Sequence, residues 1–101
     1  MAVKEITGAV FEQEVLNCDI PVIADFYANW CGPCKMLRPA LEELSEERTD
    51  CKVVSIDIDE EPELADRYGI SSIPCVIAFK DGEEANRSIG LVPKDVLGDL
   101  I

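Results

Sequence analysis

The sequence contains no histidine, and its 9 lysine and arginine residues face 21 acidic residues, which gives a net charge of −12. Without an imidazole group, a Ser-His triad, a Cys-His pair and a histidine-ligated metal site are excluded. Binding to nucleic acids or to anionic membrane surfaces begins with a basic face, so we expect neither as a partner.

Long apolar segments are also missing. The longest apolar run without proline, residues 75–79, is far shorter than the ~20 residues that a membrane-spanning helix needs. The first six residues include Lys4 and Glu5 and do not build the apolar centre of a signal peptide. These features predict a cytoplasmic protein that makes no contact with membranes.

The chain has 101 residues, of which 48% are hydrophobic and 30% charged. This length and composition predict one globular domain, residues 1–101, which we expect to be monomeric. The five cysteines, an odd number, cannot all pair within one chain. In a reducing compartment they are typical of catalytic, metal-binding or simply buried thiols.

Hydrophobic periodicity and turn signals predict the element order β-α-β-α-β-α-β-β-α. The predicted strands are residues 3–6, 22–28, 53–58, 75–79 and 85–90. Because helices join the first three strands and a tight turn at 80–83 joins the last two, parallel pairing at the start and antiparallel pairing at the end are expected. The sequence therefore predicts a three-layer α/β fold.

The helices have their own signals. Thr7 can cap a first helix that carries Phe11, Val15 and Cys18 on one face. A second helix begins near Cys31 and is expected to be kinked at Pro39. A third runs from about Glu61 to Gly69. The last opens at Pro93 and is expected to bury its apolar residues, which are Leu97, Leu100 and Ile101.

The candidate chemistry lies in Cys31-Gly32-Pro33-Cys34, where a strand leads into a helix. Two thiols at this spacing can close a small disulfide. The backbone N–H groups and dipole at a helix N-terminus favour the thiolate of the first cysteine, whereas the second lies one turn inside. This asymmetry predicts that Cys31 attacks and Cys34 resolves. The alternative, half of a zinc site, needs a second ligand pair that the sequence lacks.

These cysteines lie in the segment Trp30–Lys35, with Asp25-Phe26 before it and Pro39 after it. This combination of residues resembles the pattern of the thioredoxin family. The resemblance extends along nearly the whole chain, through 57–62, 68–70, Ile73-Pro74, 79–82 and Gly90. It implies a thioredoxin fold, with a central five-stranded mixed sheet flanked by four helices. It also implies reduction of protein disulfides by Cys31 and Cys34 without a bound cofactor or metal, and re-reduction by a thioredoxin reductase.

The resemblance assigns further site residues. Asp25 would be buried beneath the dithiol and would exchange a proton with Cys34. The alternative is an acid at the end of a strand that only binds a backbone N–H group or solvent. Pro74 would follow a cis peptide bond and exclude metal, with the Ile73 backbone open to an extended target segment. The docking surface for target proteins would comprise Trp30, Gly32, Pro33, Ile73, Pro74, Gly90 and Leu91. Leu91 could equally be a loop hydrophobe without a partner.

Three departures from the family pattern affect the site. Tyr27 stands where a second tryptophan is common. Ser55 stands where many bacterial members have a lysine, so Asp25 is expected to lack a cationic neighbour. Cys75 replaces the usual threonine after the cis-proline and is expected to lie close to Cys31 and Cys34, either as a small buried residue or as a third redox-active thiol. Cys18 and Cys51 are expected to take no part.

Two other functions fit the sequence less well. Disulfide oxidases and isomerases usually carry a histidine between the cysteines and work in secretory compartments. A non-catalytic accessory subunit could use the same fold as a binding module, in which case its function would not need Cys31 or Cys34.

Overall fold

The structure, a computed structural model, describes residues 3–101. Five strands form one sheet in the order β1-β3-β2-β4-β5. Their bounds are β1 Lys4–Glu5, β2 Val22–Tyr27, β3 Lys52–Asp57, β4 Cys75–Lys80 and β5 Glu83–Ile89. β2 is parallel to β3, and β3 to β1, whereas β4 is antiparallel to both β2 and β5. The predicted five-stranded mixed sheet is confirmed.

Four helices flank the sheet, as predicted. α1 begins as an α-helix, Gly8–Phe11, and continues as a π-helical segment, Glu12–Leu16. α2 is Gly32–Glu47, α3 is Pro62–Arg67 and α4 is Lys94–Gly98. No helix within residues 3–101 is long and apolar enough to cross a membrane.

The alternation of side chains along the central strands creates two cores. On one face of the sheet, Ile23 and Val53 pack with the apolar side chains of α2 and α4. On the other face, Ala24 and Phe26 pack with those of α1 and α3. Successive side chains of a strand point to opposite faces of the sheet, so Asp25, two residues after Ile23, points to the same face as Ile23. This is the α2 side. The three-layer arrangement is therefore confirmed.

Some boundaries and details differ from the sequence-based predictions. Thr7 occupies the position before α1, but its side chain makes no capping hydrogen bond. Cys18 lies beyond α1, which ends in a backbone hydrogen bond from Asn17 N–H to the Glu12 carbonyl, a π-helical closure. The continuation of α2 through Pro39 to Glu47, by contrast, agrees with the expectation that this proline does not end the helix.

The last helix buries only part of the predicted set. Leu97 and Leu100 are buried on the α2 side, but Ile101 is 37% exposed. The prediction that Ile101 is buried is therefore wrong, because α4 ends at Gly98 and the helical periodicity on which the prediction rested does not extend to the last residue.

Candidate active site

Cys31 and Cys34 lie where β2 leads into α2. Cys31 is the residue before the first turn of α2 and has an extended backbone, and Pro33 stands within that turn, where its missing N–H needs no partner. The two cysteines form a disulfide, with their Cα atoms 5.2 Å apart. The predicted ability of this pair to close a small disulfide is confirmed.

The two sulfurs have different surroundings. The backbone N–H of Cys34 donates to Cys31 Sγ at 3.2 Å, so the sulfur of Cys31 occupies the capping position of the helix. Such a bond stabilises negative charge on that sulfur once the pair is reduced. Cys31 Sγ also lies 3.9 Å from the carbonyl oxygen of Ile73. The geometry therefore favours the thiolate at Cys31 rather than at Cys34.

Asp25 is the buried acid of the site. It is 1% exposed, and its Oδ1 atom has no hydrogen-bond partner among the residues that the structure describes. Burial raises the pKa of Asp25 to about 7; the positive charge of Arg38 opposes this rise, and the negative charge of Glu5 adds to it. A carboxyl group with this pKa can both accept and release a proton near neutral pH.

A cavity of about 400 Å³ connects Asp25 with Cys34. The cavity wall combines the acid and the inner cysteine with charged and polar side chains from β1, β2, α2 and the segment between β2 and α2. Its lining residues are Glu5, Asp25, Tyr27, Ala28, Asn29, Cys34, Lys35 and Arg38. The arrangement gives a proton a polar route between the inner thiol, the buried acid and solvent.

The expectation that Asp25 lacks a cationic neighbour is wrong. Ser55 is indeed uncharged and faces Asp25 across the parallel β2–β3 pair. However, Arg38 of α2 reaches over the sheet and donates from Nη1 to Ser55 Oγ at 3.0 Å. The positive charge therefore comes from the helix rather than from the neighbouring strand. One feature of the sequence indicates this position of Arg38. It follows Cys34 by four residues, and residues i and i+4 of a helix lie on the same face.

Ile73 and Pro74 lie beside the cysteines. The peptide bond between them is cis, as the resemblance implies. Ile73 packs against the buried cysteines and Ala28. The N–H of Gly90 donates to the Pro74 carbonyl at 2.8 Å, and Gly90 has φ +94°, a conformation that strongly favours glycine. This contact fixes the turn after β5 next to the cis-proline.

The candidate docking residues differ in exposure. Trp30 is 70% exposed and Leu91 is 47% exposed. Gly32 and Pro33 are also exposed, whereas Ile73 and Gly90 are half-buried and Pro74 is buried. The indole N–H of Trp30 donates to Asp59 Oδ2 at 2.8 Å, and the N–H of Asp59 in turn donates to Asp57 Oδ1. Sequence reasoning gave Asp59 no role, since its partner is fixed only by the fold.

Cys75 does not lie with the two other cysteines. It is opposite Phe26 in the β2–β4 pair and packs in the core beneath α1 and α3, whereas Cys34 lies on the α2 side. Burial raises the pKa of the Cys75 thiol. The expectation that Cys75 lies close to Cys31 and Cys34 is therefore wrong, and its environment is that of a small buried residue.

Cys18 and Cys51 are free thiols, as is Cys75. Cys51 is buried in the core on the α2 side, and burial raises the pKa of its thiol. Cys18 is half-buried and packs against the core on the α1 side. Within residues 3–101, no group of three or more acidic, cysteine or histidine side chains is arranged to hold a metal ion.

Comparison with known proteins gives a consistent result. The family model for thioredoxin matches residues 2–101. The chain is 46% identical to a thioredoxin of Pyropia yezoensis, a match that covers 100% of this chain and 95% of the relative. It is 48% identical to a thioredoxin of Rickettsia prowazekii, covering 98% and 95%. With thioredoxin 1 of Synechococcus elongatus it shares 45% identity over 95% and 91% of the two chains.

Proposed function

The chain belongs to the thioredoxin family and is a thiol–disulfide oxidoreductase, and we propose that Cys31 and Cys34 pass two electrons to disulfides in other proteins in two ordered steps. The observation that carries the order is the hydrogen bond from Cys34 N–H to Cys31 Sγ. It supports Cys31 as the attacking group, because a nucleophilic thiol must react as the thiolate.

In the first step, the Cys31 thiolate attacks one sulfur of the target disulfide. A bond forms between Cys31 and that sulfur, the target's S–S bond breaks, and the second target sulfur leaves as a thiolate. The product is a mixed disulfide between the two proteins. The exposed side chains of Trp30 and of Leu91, which follows the turn beside Pro74, offer apolar surface on which the target can dock.

In the second step, Cys34 attacks Cys31 and closes the intramolecular disulfide. The proton of the Cys34 thiol passes to the Asp25 carboxylate, either directly or through the cavity that both residues line. The bond between Cys31 and the target breaks, and the reduced target leaves with both electrons. Because Cys34 is held in the same chain, its high effective concentration against the mixed disulfide drives this step.

The cycle closes when a reductant returns two electrons to the Cys31–Cys34 disulfide. We expect that reductant to be a thioredoxin reductase and the oxidants to be disulfide-containing proteins. The proposed active-site groups are Cys31, Cys34, Asp25 and Pro74, and the proposed docking residues are Trp30, Gly32, Pro33, Ile73, Gly90 and Leu91.

The proposal is tested by insulin reduction together with trapping of the mixed disulfide. Cys31→Ser and Cys34→Ser should both abolish turnover. Only Cys34→Ser should accumulate a covalent mixed disulfide with the target, because it retains the attacking sulfur. Cys18→Ser, which removes a free thiol outside the site, is the matched control and should behave as the wild type.

Three results would contradict the proposal. If insulin reduction persists without Cys31 and Cys34, the pair does not carry the electrons. If Cys31→Ser rather than Cys34→Ser traps the target, the order of attack is reversed. If equilibration with glutathione gives an oxidising rather than a reducing potential, the protein works as a disulfide oxidase.

A further inference from the structure

We propose that Arg38 is a positioning residue for the proton transfer between Cys34 and Asp25, an inference that rests on the function proposed above. Its side chain is half-buried and lines the same cavity as the acid and the inner cysteine. The structure thus places a guanidinium group next to the polar route along which the proton would move.

The fold fixes the position of this guanidinium from two sides. Arg38 Nη1 donates to the buried Ser55 Oγ at 3.0 Å, and Arg38 Nε lies 3.9 Å from Glu42 Oε1, one turn further along α2. Ser55 is the direct neighbour of Asp25 in the β2–β3 ladder. Because residues paired across neighbouring strands point to the same face of the sheet, the Ser55 hydroxyl holds the guanidinium on the face that carries Asp25.

The chemistry needs a positive charge at this place. Asp25 Oδ1 has no hydrogen-bond partner among residues 3–101, so hydrogen bonds to that oxygen do not stabilise its ionised form. Burial alone would keep the acid protonated and unable to take the proton of Cys34. A nearby cation favours the carboxylate, and a guanidinium stays charged at every pH at which the reaction runs.

Several other charged or titratable groups face Asp25 and must be considered in the test. Glu5 of β1 opposes the effect of Arg38. Cys75 on β4 lies on the opposite side of the sheet; burial raises the pKa of its thiol, and the negative charges of Glu84 and Asp25 add to this rise. The groups that share the cavity with Asp25 and Arg38 are Glu5, Tyr27, Cys34 and Lys35.

Lys35 provides a matched control. It belongs to the same helix and lines the same cavity, but it is exposed, so solvent and salt screen its charge. Lys35→Gln and Arg38→Gln each remove one positive charge from the cavity wall. A specific role for Arg38 predicts different effects of the two substitutions on Asp25.

The experiment follows the carboxyl carbon of Asp25 by NMR during a pH titration of the reduced protein, with Asp25→Asn used to assign the signal. Arg38→Gln should raise the pKa of Asp25 by about 1 unit, the lower end of the effect of a close opposite charge. Lys35→Gln should shift it much less, and Arg38→Lys, which keeps the charge, should restore most of the wild-type value.

A kinetic measurement links this titration to the reaction. Closure of the Cys31–Cys34 disulfide on a preformed mixed disulfide is timed in a single turnover across the pH range. In Arg38→Gln the rising limb of the rate should move to higher pH by the same amount as the Asp25 titration.

Three outcomes would overturn the role of Arg38. These are an unchanged Asp25 titration in Arg38→Gln, an equal shift in Lys35→Gln, or a shifted titration with an unshifted rate profile. Failure of the proposed function is distinct, because it would appear as wild-type protein that reduces no disulfide at any pH. The titration of Asp25 does not depend on that activity.

Discussion

Replacing Asp25 with asparagine should stabilise the oxidised protein at neutral pH, by an amount that depends on pH in a defined way. Asp25 is buried with an unpartnered oxygen, and burial raises its pKa from 3.8 to about 7. The folded state therefore holds a proton that the unfolded state releases. Asparagine resembles the protonated acid in shape but cannot ionise, so it removes this difference between the two states.

The size and sign follow from linkage. The pKa of Asp25 is about 3 units higher in the folded state, and each unit corresponds to about 1.4 kcal/mol, which gives about 4 kcal/mol. Below pH 3.8 both states carry the proton and the acid costs nothing. Between pH 4 and 7 the unfolded state binds fewer protons, so wild-type stability falls as the pH rises. Above pH 7 the loss is complete and stays constant.

The assay is urea unfolding of both proteins between pH 3 and 8. The difference in unfolding free energy, Asp25→Asn minus wild type, cancels the titration of the other carboxyl groups. It should grow by about 4 kcal/mol across this range, which is about 2 M in urea midpoint at a typical slope of about 2 kcal/mol/M. A difference that stays constant between pH 3 and 8 would show that Asp25 is not held in its neutral form by the fold.

Three further predictions concern other parts of the molecule. Trp30→Ala should lower kcat/KM about tenfold for insulin, and much less for a small disulfide, because the indole is exposed for docking; equal losses on both substrates would refute this role. Cys75→Ser should match the wild type in activity and in its change of mass after peroxide treatment. It should unfold more readily, because a hydroxyl replaces a thiol in an apolar core. A peroxide product that only the wild type forms would show instead that Cys75 is redox-active. Two lysine ammonium groups hold the pKa of Glu14 at about 2, so the stability difference between wild type and Glu14→Gln should be fully present above pH 4.5 and shrink as the pH falls through 2. A difference as large at pH 2 as above pH 4.5 in acid unfolding curves would disprove the pairing.

Hydrophobic periodicity and turn signals predict the order of the helices and strands, although not the π-helical second half of α1. The strongest signals were local ones, such as Pro33 at the start of α2 and the turn at Asp81-Gly82, both of which have a short-range physical cause. The antiparallel pairing of β4 with the central strand β2 was not predicted, because helix α3 connects β3 to β4 as it would in a parallel sheet. The direction of β4 depends on long-range packing, which leaves no local trace.

In the site, too, some features follow from one short segment, whereas others depend on the packing of distant parts of the chain. The candidate cysteines and their proposed unequal roles follow from one segment, because a strand-to-helix junction and a three-residue spacing are enough to infer them. The sequence indicates no cation beside Asp25, because Ser55, its neighbour in the adjacent strand, is uncharged. Arg38 reaches that position from α2, and only the packing of the helix on the sheet brings the two residues together.

Cys75 was placed incorrectly for a related reason. Its position directly after Pro74 suggested that it shares the surroundings of the cis-proline. However, successive residues of a strand point to opposite faces of the sheet, and the pairing with Phe26 places the Cys75 side chain on the side of α1 and α3. This placement follows from the register of the β2–β4 pair, which no local feature of the sequence sets.

The position of Asp25 is best explained by chemistry rather than by stability. A buried acid whose pKa the fold raises lowers the stability of the protein at neutral pH, and an apolar residue in the same strand would not. Its cavity reaches the inner cysteine, and its pKa of about 7 lets it exchange a proton at the pH at which the thiol must lose one. The wall of that cavity carries Glu5 and Arg38, whose charges act on the acid in opposite directions. The stability lost at Asp25 and the proposed proton transfer to it would therefore be two consequences of one arrangement, and substitutions that change this pKa should change both together.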